Sequence, residues 1–258
     1  MNVISYPKTH LVASSFSHSA NSYNKAAILQ NAVGDKLLSL APAQGVCLDL
    51  GCGTGRYTQK LLSNTEVSQC FALDIAEGML AFTQQQSPQA KCLQADAQAI
   101  PLPDNSVDFV FSSLMLQWLG ANEQVFKEIK RVLKPGGVCV FSSLLEGTLF
   151  EMKNAWAQVD DLHHVNEFEP EQAWQHAAES AGFIAQNWQC QPFVRSFDSV
   201  RDALIELKAL GAHNVNSNRP KAMTGKQKFA AFTQAYETYR SDGQIPASYQ
   251  VLYGVLRG

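Results

Sequence analysis

Leu48-Asp49-Leu50-Gly51-Cys52-Gly53-Thr54-Gly55 is an apolar run that closes on three glycines at alternate positions. A strand that enters such a turn and leaves it as a helix brings backbone N–H groups and a helix N-terminus close to a ligand. The Gly51-x-Gly53-x-Gly55 spacing differs from the GxGxxG dinucleotide fingerprint, and no Lys-Ser/Thr follows as a phosphate-binding loop requires. The turn therefore suits a nucleotide without a pyrophosphate. Taken alone, the same glycines also fit a tight strand–helix connection with no ligand.

Outward from this turn, short apolar runs alternate with amphipathic ones from Gly45 to Leu145. Strands are expected at residues 46–50, 69–74, 90–95, 107–113 and 137–145, with helices at 56–63, 77–86 and 122–133 between them. Lys134-Pro135-Gly136-Gly137 is expected to stop the last helix and turn the chain into the next strand. Alternating β and α of this kind reads as an α/β, doubly wound, mostly parallel sheet. Residues 1–44 form an N-terminal helical appendage, with one helix expected at 23–40, and residues 45–258 form the main domain. In its second half, a helix at 170–181 ends at Gly182, and strands are expected at 184–194 and 249–256. Helices at 199–210 and 224–240 flank a Gly/Asn/Pro-bearing loop and read as a lid inserted at about 197–245.

The chain has 258 residues, 46% of them hydrophobic and 17% charged, which is globular composition without a disordered half. Its net charge of −3 argues against nonspecific nucleic-acid binding, which calls for excess Lys and Arg. No apolar run approaches the ~20 residues of a membrane span. The first residues lack the basic start and apolar core of a secretory signal, so a cytoplasmic monomer with no membrane partner is expected. Six cysteines without a CxxC spacing read as reduced thiols. His163-His164 has no accompanying ligand set, so no metal is expected.

Three carboxylates close three consecutive expected strands: Asp49, Asp74 and Asp96. In an open α/β sheet all three face the crevice at the strands' C-terminal ends. There Asp49 could orient the turn and meet an amino-acid ammonium, Asp74 could read a ribose diol, and Asp96 could accept from an adenine amino group. Each alone could be a helix N-cap. Together they favour an adenosyl cofactor.

Residues 46–55, Phe71-Ala72-Leu73-Asp74, Ala95-Asp96, residues 102–108 and Leu133-Lys134-Pro135-Gly136-Gly137 resemble the successive motifs of class I methyltransferases. The resemblance covers about residues 45–145. It implies a Rossmann-like, seven-stranded sheet whose last strand is antiparallel, with S-adenosyl-L-methionine at the ends of the first, second and fourth strands. It also implies cofactor contacts at Asp49, Gly51, Gly53, Gly55, Asp74, Ile75, Met79, Asp96, Ala97 and Leu114.

Methyl transfer from a sulfonium is an in-line displacement, so alignment and water exclusion are the protein's main tasks. A carboxylate acceptor, with a pKa near ~4, is already ionised at neutral pH and needs positioning alone, whereas an amine or hydroxyl needs a base. No Asn/Asp-Pro-Pro-Tyr/Phe run is present to suggest amino methylation of a base. Ser112-Ser113-Leu114-Met115-Leu116-Gln117-Trp118 instead offers an amide and an indole N–H beside the crevice.

Beyond the common core, Phe16-Ser17-His18-Ser19-Ala20-Asn21-Ser22-Tyr23, residues 114–118, and Leu207-Lys208-Ala209-Leu210-Gly211-Ala212 with Asn218-Arg219 resemble the malonyl-acyl-carrier-protein O-methyltransferases of biotin synthesis. That resemblance implies methyl esterification of the free carboxylate of a malonyl thioester, carried by acyl carrier protein or coenzyme A, early in pimeloyl synthesis. His18 and Glu167 stand where the family commonly has Arg. Tyr23 could close over the cofactor or hydrogen-bond the acceptor, and Gln117 and Trp118 could orient it, though all three could instead pack in the core. Arg219 is the preferred carboxylate anchor, because a guanidinium forms a planar bidentate pair and stays charged. Lys208 and His213 lie nearby in sequence. Between Arg195 and Lys228, seven basic residues stand against three acidic ones, which suits an acidic carrier protein or an ordinary solvated helix pair. The alternatives are methylation of a small free acid such as trans-aconitate and, in another class, a cofactor-binding partner protein without catalysis.

Overall fold

The structure, a computed structural model, describes Tyr6, residues 9–210 and residues 225–258. Two helices, α1 (Thr9–Ala26) and α2 (Ile28–Ser39), precede the sheet. The chain continues through β1 (Gly45–Leu50), α3 (Arg56–Leu62), β2 (Val67–Asp74), α4 (Glu77–Gln86), β3 (Lys91–Gln94), β4 (Val107–Ser113), α5 (Glu123–Val132) and β5 (Leu133–Leu144). After α6 (Phe150–Ala157) and α7 (Glu171–Ser180) come β6 (Ile184–Phe197), α8 (Val200–Ala209), α9 (Lys226–Glu237) and β7 (Ile245–Arg257).

Among the described residues the sheet has seven strands in the order β3-β2-β1-β4-β5-β7-β6. The first five are parallel, and β7 inserts antiparallel to both β5 and β6. The expected α/β class, the mostly parallel sheet and the antiparallel last strand are all present. The order changes direction between β1 and β4, and open α/β sheets bind ligands at such a switch point, outside the carboxyl ends of the strands.

Both faces of the sheet are covered. On one, the apolar stripe of α5, Val125, Phe126, Ile129 and Val132, is buried. Phe126 meets Phe141 edge-on at 5.4 Å and Trp174 at 6.3 Å. Burying a large side chain of this kind stabilises by about 1.5–3 kcal/mol. On the other face, Leu37, Tyr57, Phe111, Phe232 and Tyr236 pack into a second core. No helix among the described residues is long and apolar enough to cross a membrane.

Four expectations change. The helix expected at 23–40 is two helices, with a break at Ala27 (φ −79°, ψ 41°). Neither Pro nor Gly marks that break; the two halves bury against different partners. Leu29, Val33 and Leu37 of α2 enter the core under the sheet, whereas α1 lies on α4, so close that a Cβ on Gly78 would stand 2.9 Å from the Ser17 Cα. Second, Lys134-Pro135-Gly136-Gly137 does not separate helix from strand. Val107 pairs with Leu133 and Phe109 with Val138, so the segment bulges within β5, with Gly136 at φ +79°. Third, β6 and β7 extend to Phe197 and back to Ile245, where these two residues pair. That long ribbon is the base from which α8 and α9 rise. Fourth, α6 has no counterpart among the expected elements; it starts at Leu149 in the left-handed region (φ 55°) without a capping side chain.

Candidate active site

Each glycine of the opening turn has its own reason to lack a side chain. Gly51 (φ +78°) leaves room for Met115, whose Cγ would lie 2.3 Å from an added Cβ. Gly55 (φ +84°) caps α3 and abuts Thr83, with the Thr83 Cα 2.9 Å from an added Cβ. Gly53 (φ +54°) faces open space. The first and third glycines are thus fixed by packing within the protein, and the middle one by access to the crevice.

Asp74, at the end of β2, holds the turn. Its Oδ2 accepts from the Gly53 N–H at 2.9 Å and its Oδ1 from the Ala76 N–H at 2.9 Å. Burial raises its carboxyl above the usual range, opposed by those amides. A carboxylate has about four acceptor positions, so it keeps acceptor capacity for a ligand's hydroxyl. Asp96 engages the Gln98 N–H at 2.9 Å through Oδ1.

Asp49 lies beneath the turn. It is 1% exposed, lies outside the cavity lining, and accepts from the Thr58 hydroxyl at 2.6 Å. Burial lifts its carboxyl to about 7, opposed by the Thr58 hydrogen bond and reinforced by Asp74. Asp49 therefore ties β1 to α3 beneath the turn. Gly55 is likewise behind the cavity wall.

A cavity of about 760 Å³ opens above the turn, lined by Gly51, Gly53, Asp74, Ile75, Met79, Asp96, Ala97 and Leu114 among others. Phosphate-binding cations are absent from its described lining; the charged groups there are the two carboxylates. Apolar side chains flanking two acceptors suit a purine nucleoside bearing no phosphate, and an adenosyl group fits this set.

The α1 helix roofs the site. Phe16 meets Trp118 edge-on at 5.3 Å and Tyr23 at 6.3 Å. Burial, and then the neighbouring Asp74, push the Tyr23 phenol well above its ordinary range, so it stays protonated and can donate a hydrogen bond but not act as a base. Beyond this roof lies a second cavity of about 1,110 Å³. Phe16, Tyr23, Leu114 and Trp118 line both, so they form the shared wall. At its centre Leu114 adopts a left-handed backbone (φ 49°), a conformation costing a bulky residue about 1–3 kcal/mol. Its N–H donates to the Ser142 carbonyl and hydroxyl, each at 3.1 Å, and its carbonyl accepts from Gln117 Nε2 at 2.6 Å.

Gln117 Oε1 and Gln30 Oε1 are buried without a hydrogen-bond partner among the described residues, and both residues line the second cavity. These two amide oxygens leave the cavity with acceptors open to a donor from a ligand or water, since an unpaired buried polar atom costs about 1–3 kcal/mol. The structure thus brings Tyr23, Gln117 and Trp118 together at the second cavity. Arg219 and His213 lie outside the described residues. Lys208, in the last turn of α8, is not on the cavity lining. Glu167 stands 3.7 Å from Lys153, and the His18 ring contacts the Ser14 carbonyl at 2.6 Å.

Gln30, Trp156, Asn166 and Tyr249 are not placed at the site by the sequence reading, where His164 is weighed only as a metal ligand; all five reach the second cavity, from α2, α6, the segment after it and β7. The one local signal was Asp160-x-x-x-His164, a spacing that brings the two side chains to 2.7 Å. Among the described residues no group of three or more His, Cys, Asp or Glu could hold a metal ion. The cysteines described are free thiols.

Residues 48–141 match the family model described as a methyltransferase domain. The chain is 36% identical over 260 residues to a malonyl-[acyl-carrier protein] O-methyltransferase of Methylococcus capsulatus, covering 95% of this chain and 92% of that one. It is 37% identical to the protein of the same name in Yersinia pestis, covering 95% and 90%. It is 46% identical to the biotin biosynthesis bifunctional protein BioHC of Cellvibrio japonicus, of which it spans 49%. Among solved structures, the YcgJ protein of Bacillus subtilis superposes with a TM-score of 0.59 at 18% identity, covering 88% of this chain and 97% of that one. The [4+2]-cyclase SpnF superposes with a TM-score of 0.56 at 17% identity, covering 88% and 80%. Likeness at that level speaks for the fold, and a cyclase among the neighbours illustrates that this fold alone does not set the chemistry. Similarity over nine-tenths of both chains does more: the protein belongs to the malonyl-[acyl-carrier protein] O-methyltransferase family, with a class I methyltransferase fold.

Proposed function

We propose that this chain transfers a methyl group from S-adenosyl-L-methionine to the free carboxylate of a malonyl thioester, with acyl carrier protein as the preferred carrier. The observation that carries the proposal is the pair of cavities meeting at one wall of Phe16, Tyr23, Leu114 and Trp118, the second having no carboxylate on its described lining. An amine acceptor would call for a base in that cavity, where His164, already tied to Asp160, is the one imidazole on the described lining; an ionised carboxylate needs alignment.

S-adenosylmethionine, when bound, supplies a methyl group on a positively charged sulfur. Asp74 and Asp96 would hold the adenosyl portion, with Gly51 and Gly53 admitting it close to the backbone and Ile75, Met79 and Ala97 packing on it. Asp49 and Gly55 act from behind the wall by keeping the turn in shape. Tyr23, protonated, donates to the acceptor carboxylate from the roof, while Trp118 and Phe16 keep water out of the junction. Gln117 Oε1, which the protein leaves unpaired, can accept from a donor on the acceptor's carrier arm; an amide oxygen cannot pair with the carboxylate itself. Arg219, which follows α8 in sequence and lies outside the described residues, would add a bidentate cation; that role rests on family resemblance.

The excess of basic residues between Arg195 and Lys228 would help dock an acidic carrier. Part of it is already paired, Arg195 with Glu206 at 2.7 Å and Lys228 with Asp160 at 2.8 Å. The direct test is incubation of purified protein with S-adenosylmethionine and malonyl-acyl carrier protein, with malonyl-coenzyme A and trans-aconitate as competitors. Mass spectrometry should find the methyl ester on the carrier and S-adenosylhomocysteine in step with it. Cofactor binding without ester on any malonyl thioester would sink the proposal.

A further inference from the structure

An anionic acceptor taken into a largely apolar cavity needs a cation or several donors to replace the water it loses. The described lining of the second cavity contains no Lys, Arg, Asp or Glu, and His164 is the one side chain on it that can carry positive charge. The ring is mostly buried and cannot swing freely. It stacks on Trp156 at 3.7 Å with the planes 7° apart, and Trp156 in turn stacks on Phe232 at 4.1 Å. The result is a three-ring pile built from α6, the segment after it and α9.

Asp160 fixes the remaining degree of freedom. Its Oδ1 lies 2.7 Å from His164 Nε2, and its Oδ2 accepts from Lys228 Nζ at 2.8 Å. The Lys228 ammonium first, and then the imidazole, hold the Asp160 carboxyl down at about 2. Asp160 is therefore an acceptor at any working pH, and Nε2 must carry a proton toward it. That leaves Nδ1 as the nitrogen that decides what the ring offers elsewhere: an acceptor when the ring is neutral, a donor bearing charge when it is protonated. The other ionic groups on this segment are Glu167, between Lys153 at 3.7 Å and His163 at 3.9 Å, exposed Asp161, and Glu169, which accepts from the Tyr6 hydroxyl.

We propose that His164, clamped by Asp160 and stacked on Trp156, is the residue that reads the acceptor's carboxylate, binding it as an imidazolium and making acceptor affinity depend on pH. The inference rests on the carboxylate-acceptor reading above and adds to it the identity of the charge-recognising group. Arg219 would then be an auxiliary cation rather than the sole anchor.

The test compares the parent with His164→Phe, which keeps a ring on the stack but has no N–H, and with Asp160→Asn, which keeps the imidazole and weakens its clamp. Malonyl-acyl carrier protein is the acceptor, and S-adenosylhomocysteine binding and thermal melting check each variant's integrity. With the cofactor dissociation constant within about twofold of the parent, His164→Phe should raise the acceptor KM on the order of tenfold or more, as loss of a charge-assisted hydrogen bond does. Parent kcat/KM should fall as pH is raised through neutrality, and that limb should vanish in His164→Phe. Asp160→Asn should keep the limb but move it to lower pH, because the imidazolium loses its counter-charge.

If the parent forms no ester at all, the carboxylate reading itself is at fault. If the parent forms ester but folded His164→Phe keeps its acceptor KM and the pH limb, His164 is not the recognition group. Should His164→Phe fail to fold, the Asp160→Asn profile decides: an unmoved limb overturns the inference.

Discussion

The Asp74 carboxylate and the Gly53 amide are joined by a 2.9 Å hydrogen bond that spans from the end of β2 to the middle of the glycine turn. The same carboxylate holds the Ala76 N–H with its other oxygen, so one side chain shapes both the floor of the nucleoside cavity and the entry to α4. Asp74→Asn can accept from one of these amides through its oxygen but presents an NH₂ to the other. An unpaired buried donor costs about 1–3 kcal/mol. S-adenosylhomocysteine binding, followed by calorimetry, should weaken on the order of tenfold to a hundredfold. Unchanged affinity would remove Asp74 from the cofactor site.

Gly53 and Gly55 should fail in different ways when replaced by Ala. Both have positive φ, but an added Cβ meets nothing within 4 Å at Gly53, whereas at Gly55 it meets Thr83 backbone at 2.9 Å. Gly53→Ala should lose about 1–2 kcal/mol of stability to the left-handed backbone and lose cofactor binding disproportionately. Gly55→Ala should show the larger drop in melting temperature. Denaturation and binding measured on the same samples separate the two effects, and equal behaviour of the pair would contradict the geometry.

Asp49 gives a pH signature in stability. Its carboxyl is raised from 3.8 to about 7 in the fold by burial. Between those values the native state binds the proton more tightly than the unfolded chain does. The contribution is thus fully present at pH below about 4 and is lost as pH rises through about 7. Asp49→Asn still offers an acceptor to Thr58 and cannot ionise. The stability of the Asp49→Asn variant relative to the parent should therefore rise by about 1–3 kcal/mol between pH 5 and pH 8 in urea denaturation. A difference independent of pH would show that Asp49 is not held protonated by the fold.

Tyr23 is protonated in its setting and donates rather than abstracts. Tyr23→Phe should lower kcat/KM for the malonyl thioester on the order of tenfold, the worth of one hydrogen bond to a charged group. No basic limb attributable to a phenol should appear in the parent's rate profile up to pH 9. A rate that climbs steadily with pH in the parent and not in Tyr23→Phe would instead assign the residue as a base.

Much of the cofactor half was legible in the sequence because it is local. Asp49 to Gly55, Asp74 and Asp96 sit at the ends of consecutive parallel strands, and strand–turn–helix periodicity alone brings their positions to one crevice. Even there, packing decided what each does: Thr58 draws Asp49 under the turn, and Thr83 accounts for Gly55 without a ligand. The acceptor half was not legible in that way. Gln30, His164 and Tyr249 are far apart in the chain and reach one cavity only because α1 and α2 part at Ala27, α6 forms without a capping signal, and β7 inserts between β5 and β6. Local propensity sets where elements lie along the chain, and its reach is a few residues. Which side chains share a cavity depends on which faces are buried against one another, and only the tertiary structure decides that.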